Sequence, residues 1–195
     1  MHFVQCDDLV EPAVADEIER LMVSGGFPWF FYPNVNSTVR REDRPNHPTV
    51  IYDDARFDES FGFSHLLYPS EEVNSPLFEF PKRIFDTFQE KNNFRTERLL
   101  RVKANLLVRA AASSRPFSPH VDVPFPHWVM IYYVNDSDGD TVIFDKTYPD
   151  RENAAVLRSI SPKKGRAIMF DGRHYHSGAC PTRHDTRIVF NYDFA

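Results

Sequence analysis

Apolar and polar positions follow one another in two rhythms along this chain. In the first half, residues 2–6 alternate as in a short strand, whereas residues 14–22 repeat their apolar positions every three to four residues, as an amphipathic helix does. Residues 61–68 have the pattern of a second strand, and residues 76–92 have a second helical pattern. The first half is therefore predicted to mix helices and strands.

Residues 27–39 break both rhythms. The segment is rich in aromatic residues and is interrupted by Pro28 and Pro33, which cannot donate backbone hydrogen bonds inside a sheet. This pattern favours an extended edge strand, or a lid over a pocket, rather than a central strand. A further short strand is predicted at residues 49–52.

The second half is predicted to be almost entirely β. Short β-rich runs separated by turn residues occur at 98–109, 120–123, 128–134, 141–144, 155–160, 166–170, 174–178 and 186–192. Strands at this spacing indicate a mainly β, cupin-like jelly roll, or double-stranded β-helix, supported by the N-terminal helices. We expect a single domain over residues 1–195. It would have a mixed supporting region and candidate lid at 1–95, and the β-helix core with its metal site at 96–195.

Composition is that of an ordinary globular protein. Of the 195 residues, 42% are hydrophobic and 26% are charged, as in typical soluble domains. The net charge of −5 and the pI of about 5.9 argue against nucleic acid as a partner. Cys6 and Cys180 lack the paired spacing of a disulfide framework or a zinc site. Because neither a signal peptide nor a membrane-spanning run is present in the sequence, we expect a cytoplasmic protein with no membrane partner.

The main chemical signal is the stretch Pro119–Asp122. If it is extended, side chains two residues apart point the same way, so that His120 and Asp122 converge while Val121 faces away. An imidazole beside a carboxylate supplies two of the three ligands of a 2-His-1-carboxylate triad, which leaves positions open on non-heme Fe(II). The stretch therefore predicts part of a metal site.

The third ligand is expected from residues 174–178. His174 and His176 are two residues apart in a predicted strand and would face the same side, so periodicity alone does not choose between them.

Arg187 suggests an anion near this site. It lies on one face of a predicted strand whose other face is apolar or aromatic. A buried arginine needs an anionic partner, and a guanidinium suits bidentate binding of a carboxylate. The partner is either a small-molecule carboxylate or an acidic side chain, Asp193 or Asp171.

The order of these residues resembles that of the Fe(II)/2-oxoglutarate-dependent oxygenases. The pattern comprises His-x-Asp at 120–122, a gap of about fifty residues, a distal histidine before a small-residue step, and an arginine about ten residues later. Stretches 131–136, 139–144 and 162–170 match the prolyl-4-hydroxylase-like branch in the same order. The resemblance covers roughly residues 98–195, and the residues before it carry no motif that we can assign.

For the iron, the resemblance implies that His120, Asp122 and His176 are the ligands and thus the catalytic centre. His176 is preferred over His174 because the family's distal histidine precedes small residues such as Ser177, and because its offset to the arginine fits better.

For the co-substrate, the resemblance implies that Arg187 binds the distal carboxylate of 2-oxoglutarate. Tyr133 matches a tyrosine that hydrogen-bonds the same carboxylate in some prolyl hydroxylases, and Asn105 is a candidate polar contact to the co-substrate. Two departures are evident. Collagen-type prolyl hydroxylases usually have lysine in place of Arg187, and their tyrosine ahead of His-x-Asp has no clear counterpart in residues 105–109.

The reaction follows from the same resemblance. With Fe(II), 2-oxoglutarate and O2, the co-substrate would be converted to succinate and CO2 while a C–H bond of the substrate is hydroxylated, and ascorbate is a candidate reductant. The carboxylate of Asp122 favours hydroxylation, since halogenating relatives lack it. The expected substrate is a small molecule or a peptide, such as a peptidyl proline or an amino acid. The sequence does not specify it, nor the oligomeric state.

Two other functions fit parts of the pattern. A cupin-like metalloenzyme that does not use 2-oxoglutarate would have His174 or His127 among its ligands and Arg187 turned away from the metal. A non-catalytic member of the fold that binds a peptide or a sugar would have a metal-free centre.

Overall fold

A computed structural model of the chain describes residues 2–33, 49–50, 61–69, 72–110 and 115–195. Its strands are β1 (Phe3–Cys6), β2 (Phe30–Tyr32), β3 (Gly62–Pro69), β4 (Leu99–Val108), β5 (Trp128–Tyr133), β6 (Thr141–Thr147), β7 (Val156–Ile160), β8 (Ala167–Asp171), β9 (His174–Gly178) and β10 (Thr186–Phe194). Its helices are α1 (Pro12–Val23) and α2 (Glu79–Lys91), and a short 3-10 helix at Pro76–Phe78 leads into α2.

The strands form two antiparallel sheets. The larger has the order β1-β8-β5-β10-β4-β3-β2, and the smaller has the order β7-β6-β9. Neighbours such as β10 and β4 or β6 and β9 are far apart in sequence, as the crossing connections of a jelly roll require. Apolar side chains from both sheets pack together between them, among them Val129, Ile131, Ile143, Ile160 and Phe170. The predicted mainly β, jelly-roll fold is confirmed.

Strand β10 separates two environments. Ile188, Phe190 and Tyr192 belong to the cluster that packs against the helices, whereas Val189 belongs to the cluster between the sheets. Arg187 shares the inward face with Val189, because side chains alternate across a strand. The predicted division of this strand into a polar face and an apolar face therefore matches the observed packing.

Both helices lie against the outer face of the large sheet. Ile84, Phe85 and Phe88 recur at helical spacing in α2 and join the same apolar cluster as β10, with Phe85 stacked on Tyr192 at 5.3 Å between ring centroids. The Tyr192 hydroxyl donates a 2.9 Å hydrogen bond to the carbonyl of Pro81 in the first turn of α2. In the described ranges, no helix has the length and apolar character needed to cross a membrane.

The aromatic segment predicted at 27–39 contributes an edge strand. Among the described residues, strand β2 pairs only with β3, at the end of the large sheet, and Phe30 and Phe31 are exposed. Before it, Trp29 packs against the core beside α1 and donates to the carbonyl of Met22. The remainder of the candidate lid, from residue 34 onward, lies outside the described residues, as do residues 51 and 52 of the strand predicted at 49–52.

The strand predicted at 120–123 is wrong. His120 forms single antiparallel bridges with Val50 and with His176, and the chain bends at Asp122 rather than continuing in a ladder. Proline residues before and after this stretch, Pro119 and Pro124, limit regular pairing because they lack an N–H group. His120 is therefore held by two isolated bridges and does not belong to a strand.

Phe190→Ala is expected to lower the free energy of unfolding by about 3–5 kcal/mol, because it leaves a cavity between the large sheet and the helices. Phe190 is fully buried and packs against Phe80, with ring centroids 5.4 Å apart. Urea denaturation followed by circular dichroism measures the change. The control is Phe31→Ala on the edge strand, where the side chain is 60% exposed and the expected change is within about 0.5 kcal/mol. Equal effects in the two variants would contradict the assigned packing.

Candidate metal centre

The centre is built where the loop before β5 meets strand β9. His120 and His176 exchange two backbone hydrogen bonds, His120 N–H to His176 O at 3.0 Å and His176 N–H to His120 O at 2.9 Å. Paired residues on adjacent strands carry their side chains on the same face. The two imidazole rings accordingly lie 4.8 Å apart between centroids.

Asp122 completes the group. Its Oδ2 lies 3.2 Å from Nε2 of His176, and its Oδ1 lies 3.9 Å from Nε2 of His120. One ligand atom from each of the three residues falls within 4.8 Å of the others. Oδ2 of Asp122 is buried without a well-aligned hydrogen bond among the described residues. A buried carboxylate oxygen without such a bond is costly, and a bound metal ion would satisfy it.

Local electrostatics hold His120 and Asp122 in forms that can bind a metal. Burial, and then the neighbouring His176, lower the pKa of His120 to about 3, so that its ring is neutral at neutral pH. Burial alone would raise the pKa of Asp122, but Arg101 and the two histidines outweigh it and hold the pKa well below its usual range. Asp122 is therefore a carboxylate, and the pair supplies a neutral nitrogen and an anionic oxygen to a cation.

Of the two histidines on β9, His176 belongs to this group and His174 does not. Nδ1 of His176 is 3.1 Å from the His174 carbonyl, which favours a proton on Nδ1 and leaves Nε2 for a metal. His174 directs Nδ1 to the carbonyl of Phe144 at 2.9 Å. The two-residue step on β9 pairs with a four-residue step on β6, from Ile143 to Thr147, and the His174 ring does not join the converging ligand atoms. Burial alone would lower the pKa of His176, but the neighbouring Asp122 carboxylate outweighs burial and raises the pKa overall.

Arg187 is almost fully buried and lies beside Gly178, which follows His176 by two residues on β9. Its Nε donates to the Gly139 carbonyl and its Nη2 to Oγ1 of Thr141, each at 2.7 Å. Burial lowers its pKa. A side chain at Gly178 would place its Cβ 3.3 Å from Nη1, so glycine there leaves room around the guanidinium.

Asp193 and Asp171, the acidic side chains named as candidate partners of Arg187, form ion pairs with other arginines. Asp193 is ion-paired with Arg101, and Asp171 with Arg173. Neither ion pair involves Arg187. Within the described ranges the guanidinium therefore forms no ion pair with a carboxylate, and an anionic ligand is a fitting partner.

Tyr133 and Asn105 occupy different parts of the interior. Tyr133 is fully buried, and its hydroxyl donates to Oγ1 of Thr141 at 2.8 Å, beside Arg187. Burial raises the pKa of Tyr133 to about 12, so it stays a neutral donor. Asn105 accepts a hydrogen bond from the Ser64 hydroxyl at 2.9 Å and lies opposite Val189 in the sheet. The structure therefore places Tyr133 beside Arg187, with Thr141 between them. Asn105 lies two residues from Leu107, the residue of β4 that pairs with Arg187.

Sequence reasoning missed Arg101 and Lys103. Both alternate on β4 with apolar residues that face the helices, and this alternation of charged and apolar positions is the signal that could have revealed them. Burial, and then the neighbouring Arg101 charge, lower the pKa of Lys103 to about 8. Arg101 is ion-paired with Asp122 and with Asp193.

Comparison of the sequence with known proteins gave no match. No family model matches it, and no curated protein matches it.

Solved structures nevertheless match its fold. An oxidoreductase of the 2OG-Fe(II) oxygenase family from Burkholderia pseudomallei superposes with a TM-score of 0.63 at 13% identity, covering 99% of this chain and 85% of that one. A prolyl-4-hydroxylase from Pseudomonas putida gives 0.54 at 12% identity, covering 98% and 91%. The epimerase SnoN in complex with Fe3+, alpha ketoglutarate and nogalamycin RO gives 0.58 at 13% identity, covering 98% and 78%. The chain therefore has the fold of the 2OG-Fe(II) oxygenases.

Asp138 anchors the loop that leads into Arg187. Its carboxylate accepts hydrogen bonds from the backbone N–H groups of residues 182–184 and from the Thr182 hydroxyl at 2.7 Å. Burial alone would raise the pKa of Asp138, but these hydrogen bonds outweigh it and lower the pKa well below its usual value. The carboxylate thus fixes the start of β10, on which Arg187 lies.

Asp138→Asn is expected to lower the free energy of unfolding at pH 7 by about 1.5–3 kcal/mol, as for lost hydrogen bonds to a charged group. Because the folded-state pKa is depressed, the stabilisation is present above the unfolded pKa of about 4 and is lost as the pH falls below it. Urea denaturation at pH 7 and pH 3 should therefore show a smaller difference from the unaltered protein at pH 3. Asp86→Asn, in a surface pair with Lys82 on α2, is the control. A difference that does not change with pH would contradict the assignment.

Proposed function

We propose that the protein is a non-heme Fe(II)- and 2-oxoglutarate-dependent oxygenase that hydroxylates a C–H bond of its substrate. The observation that carries the proposal is the pairing of two features inside one jelly roll. His120, Asp122 and His176 converge at one position, and the buried Arg187 forms no ion pair with the described carboxylates that were its candidates. The first feature suits a divalent metal with open positions, and the second suits the distal carboxylate of 2-oxoglutarate.

Each residue of the candidate site has a defined task. His120, Asp122 and His176 hold the metal, and the carbonyl of His174 orients the ring of His176. When bound, the iron and 2-oxoglutarate supply O2 activation: the co-substrate and O2 yield succinate and CO2, and one oxygen atom enters the substrate C–H bond.

The co-substrate end of the interior is shaped by neutral polar groups around one cation. Arg187 pairs with the distal carboxylate, and Tyr133 and Thr141 hold the guanidinium side of the pocket in place. The surrounding apolar side chains of β5, β8 and β10 exclude water from this end and so strengthen the ionic contact.

The two alternatives receive less support. His174 directs its ring to the Phe144 carbonyl and not to the metal group, which disfavours the cupin-like ligand set that includes it. A non-catalytic binding protein would have no need for three converging ligands in an enclosed interior.

The substrate class stays open between a small molecule and a peptide. The fold is shared by a protein named prolyl-4-hydroxylase and by an epimerase whose complex contains nogalamycin RO. We favour hydroxylation because the metal group contains a carboxylate, Asp122. The proposal therefore specifies the cofactors and the reaction, and a substrate screen must identify the target.

Anaerobic loading with Fe(II) is expected to give about one iron per chain, and addition of 2-oxoglutarate and O2 should yield succinate. His176→Ala should lose the iron, whereas His2→Ala, on an exposed histidine, should keep it. Metal analysis and quantification of succinate by mass spectrometry provide the readouts. Iron content unchanged in His176→Ala, together with no 2-oxoglutarate binding by the unaltered protein, would show the proposal to be wrong.

Arg187→Met is expected to raise the KM for 2-oxoglutarate by about 30-fold or more, as for truncation of one partner of a buried charge pair. The reaction with 2-oxopentanoate, which lacks the distal carboxylate, should be nearly insensitive to the same change. Arg20→Met, at an exposed helical position with 75% of the side chain accessible, is the matched control. An equal loss with both 2-oxoacids would contradict the role of Arg187.

A further inference from the structure

Two possible metal-binding groups overlap at Asp122. One is the His120–Asp122–His176 group, and the other consists of Asp122, His127 and Asp193. The ligand atoms of each group lie within 4.8 Å of one another. Because both groups need the same carboxylate, something must decide which of them a metal ion uses.

The second group is well formed in its own right. His127 is 4% exposed, and its Nδ1 lies 2.8 Å from the Phe125 carbonyl. Its Nε2 is buried and has no hydrogen-bond partner in the part of the chain that the structure describes. Gly172 makes room for this ring, since a Cβ there would lie 2.2 Å from Nε2. Asp193 is fully buried on β10.

Arg101 stands between the two carboxylates. It lies opposite Asp193 in the pairing of β4 with β10, and its Nε is 2.6 Å from Oδ2 of Asp193. Its Nη2 donates to Oδ1 of Asp122. The guanidinium therefore places a permanent positive charge where an ion bound by the second group would have to lie. Oδ2 of Asp122 faces His176 on the other side.

We propose that Arg101 is a positioning residue that acts as a fixed cation in place of a second metal, reserving Asp122 for the ion held with His120 and His176. The inference rests on the proposed function only in taking that group as the metal site. By holding Oδ1, Arg101 restricts Asp122 to one metal contact through Oδ2, which keeps coordination positions open for the co-substrate and O2. Asp193 serves to hold Arg101 and is not itself a ligand.

The test uses Mn(II) alone as the probe, with binding followed by electron paramagnetic resonance of free Mn(II) and by calorimetry. The unaltered protein should bind one ion, and His176→Ala should lose it. Adding Arg101→Met to His176→Ala should restore binding, with a Kd about 10-fold or more tighter than that of His176→Ala alone. Further addition of His127→Ala should abolish the restored binding, because the second group then lacks its nitrogen ligand.

Control variants separate charge from structure. Arg101→Gln keeps an amide donor but no charge, so it should repeat the restoration seen with Arg101→Met and serves as the neutral variant if the methionine protein does not fold. Arg101→Lys retains the positive charge and should not restore binding. Arg95→Met, at a position with 71% of the side chain exposed, should leave every measurement unchanged. Circular dichroism verifies folding of each protein.

Failure of this inference differs from failure of the proposed function. If the unaltered protein binds no Mn(II) and no Fe(II), the metal-centre assignment is wrong, and the role of Arg101 falls with it. If the unaltered protein binds the ion through His176 but neither neutral variant at residue 101 restores binding to His176→Ala, only the role of Arg101 is overturned. Restoration that survives His127→Ala overturns it as well.

Discussion

The register of strand β10 against β4 is the constraint on which the interior of this protein depends. In this pairing Arg187 lies opposite Leu107, and Asp193 lies opposite Arg101. Because side chains alternate with a period of two, a slip of one residue would place Ile188 and Tyr192 in the interior and bury charged groups against the helices. The apolar packing of Phe190 and Tyr192 against α2 therefore secures the electrostatics on the opposite face of the same strand.

Much of the fold and part of the site could be predicted from the sequence because the signals are local. The alternation of apolar residues in the second half is a property of each strand by itself, and it predicted the jelly roll. The order of His120, Asp122, His176 and Arg187 is likewise visible along the chain, and the structure brings the first three together while placing Arg187 in the same interior. Their roles in binding metal and co-substrate stay predictions.

What could not be predicted depends on which distant residues meet. The pairing of Arg101 with Asp193 is a cross-strand contact between β4 and β10, and register between such strands is not encoded in either strand alone. The contact between the His174 ring and the Phe144 carbonyl, which leaves His174 outside the metal group, likewise joins two different strands. The short stretch at His120 resembles a strand in sequence, but its geometry comes from bridges to Val50 and His176.

The hydroxyl of Thr141 connects Tyr133 and Arg187 and leaves its own hydrogen free to donate. Thr141 accepts from both Tyr133 and Arg187 through the same oxygen. A hydroxyl has two lone pairs and one hydrogen, so both lone pairs are engaged and the hydrogen remains available to donate. The oxygen that steadies the guanidinium therefore presents its own proton outward from that pair. A small neutral side chain in this way adds a hydrogen-bond donor next to the buried guanidinium.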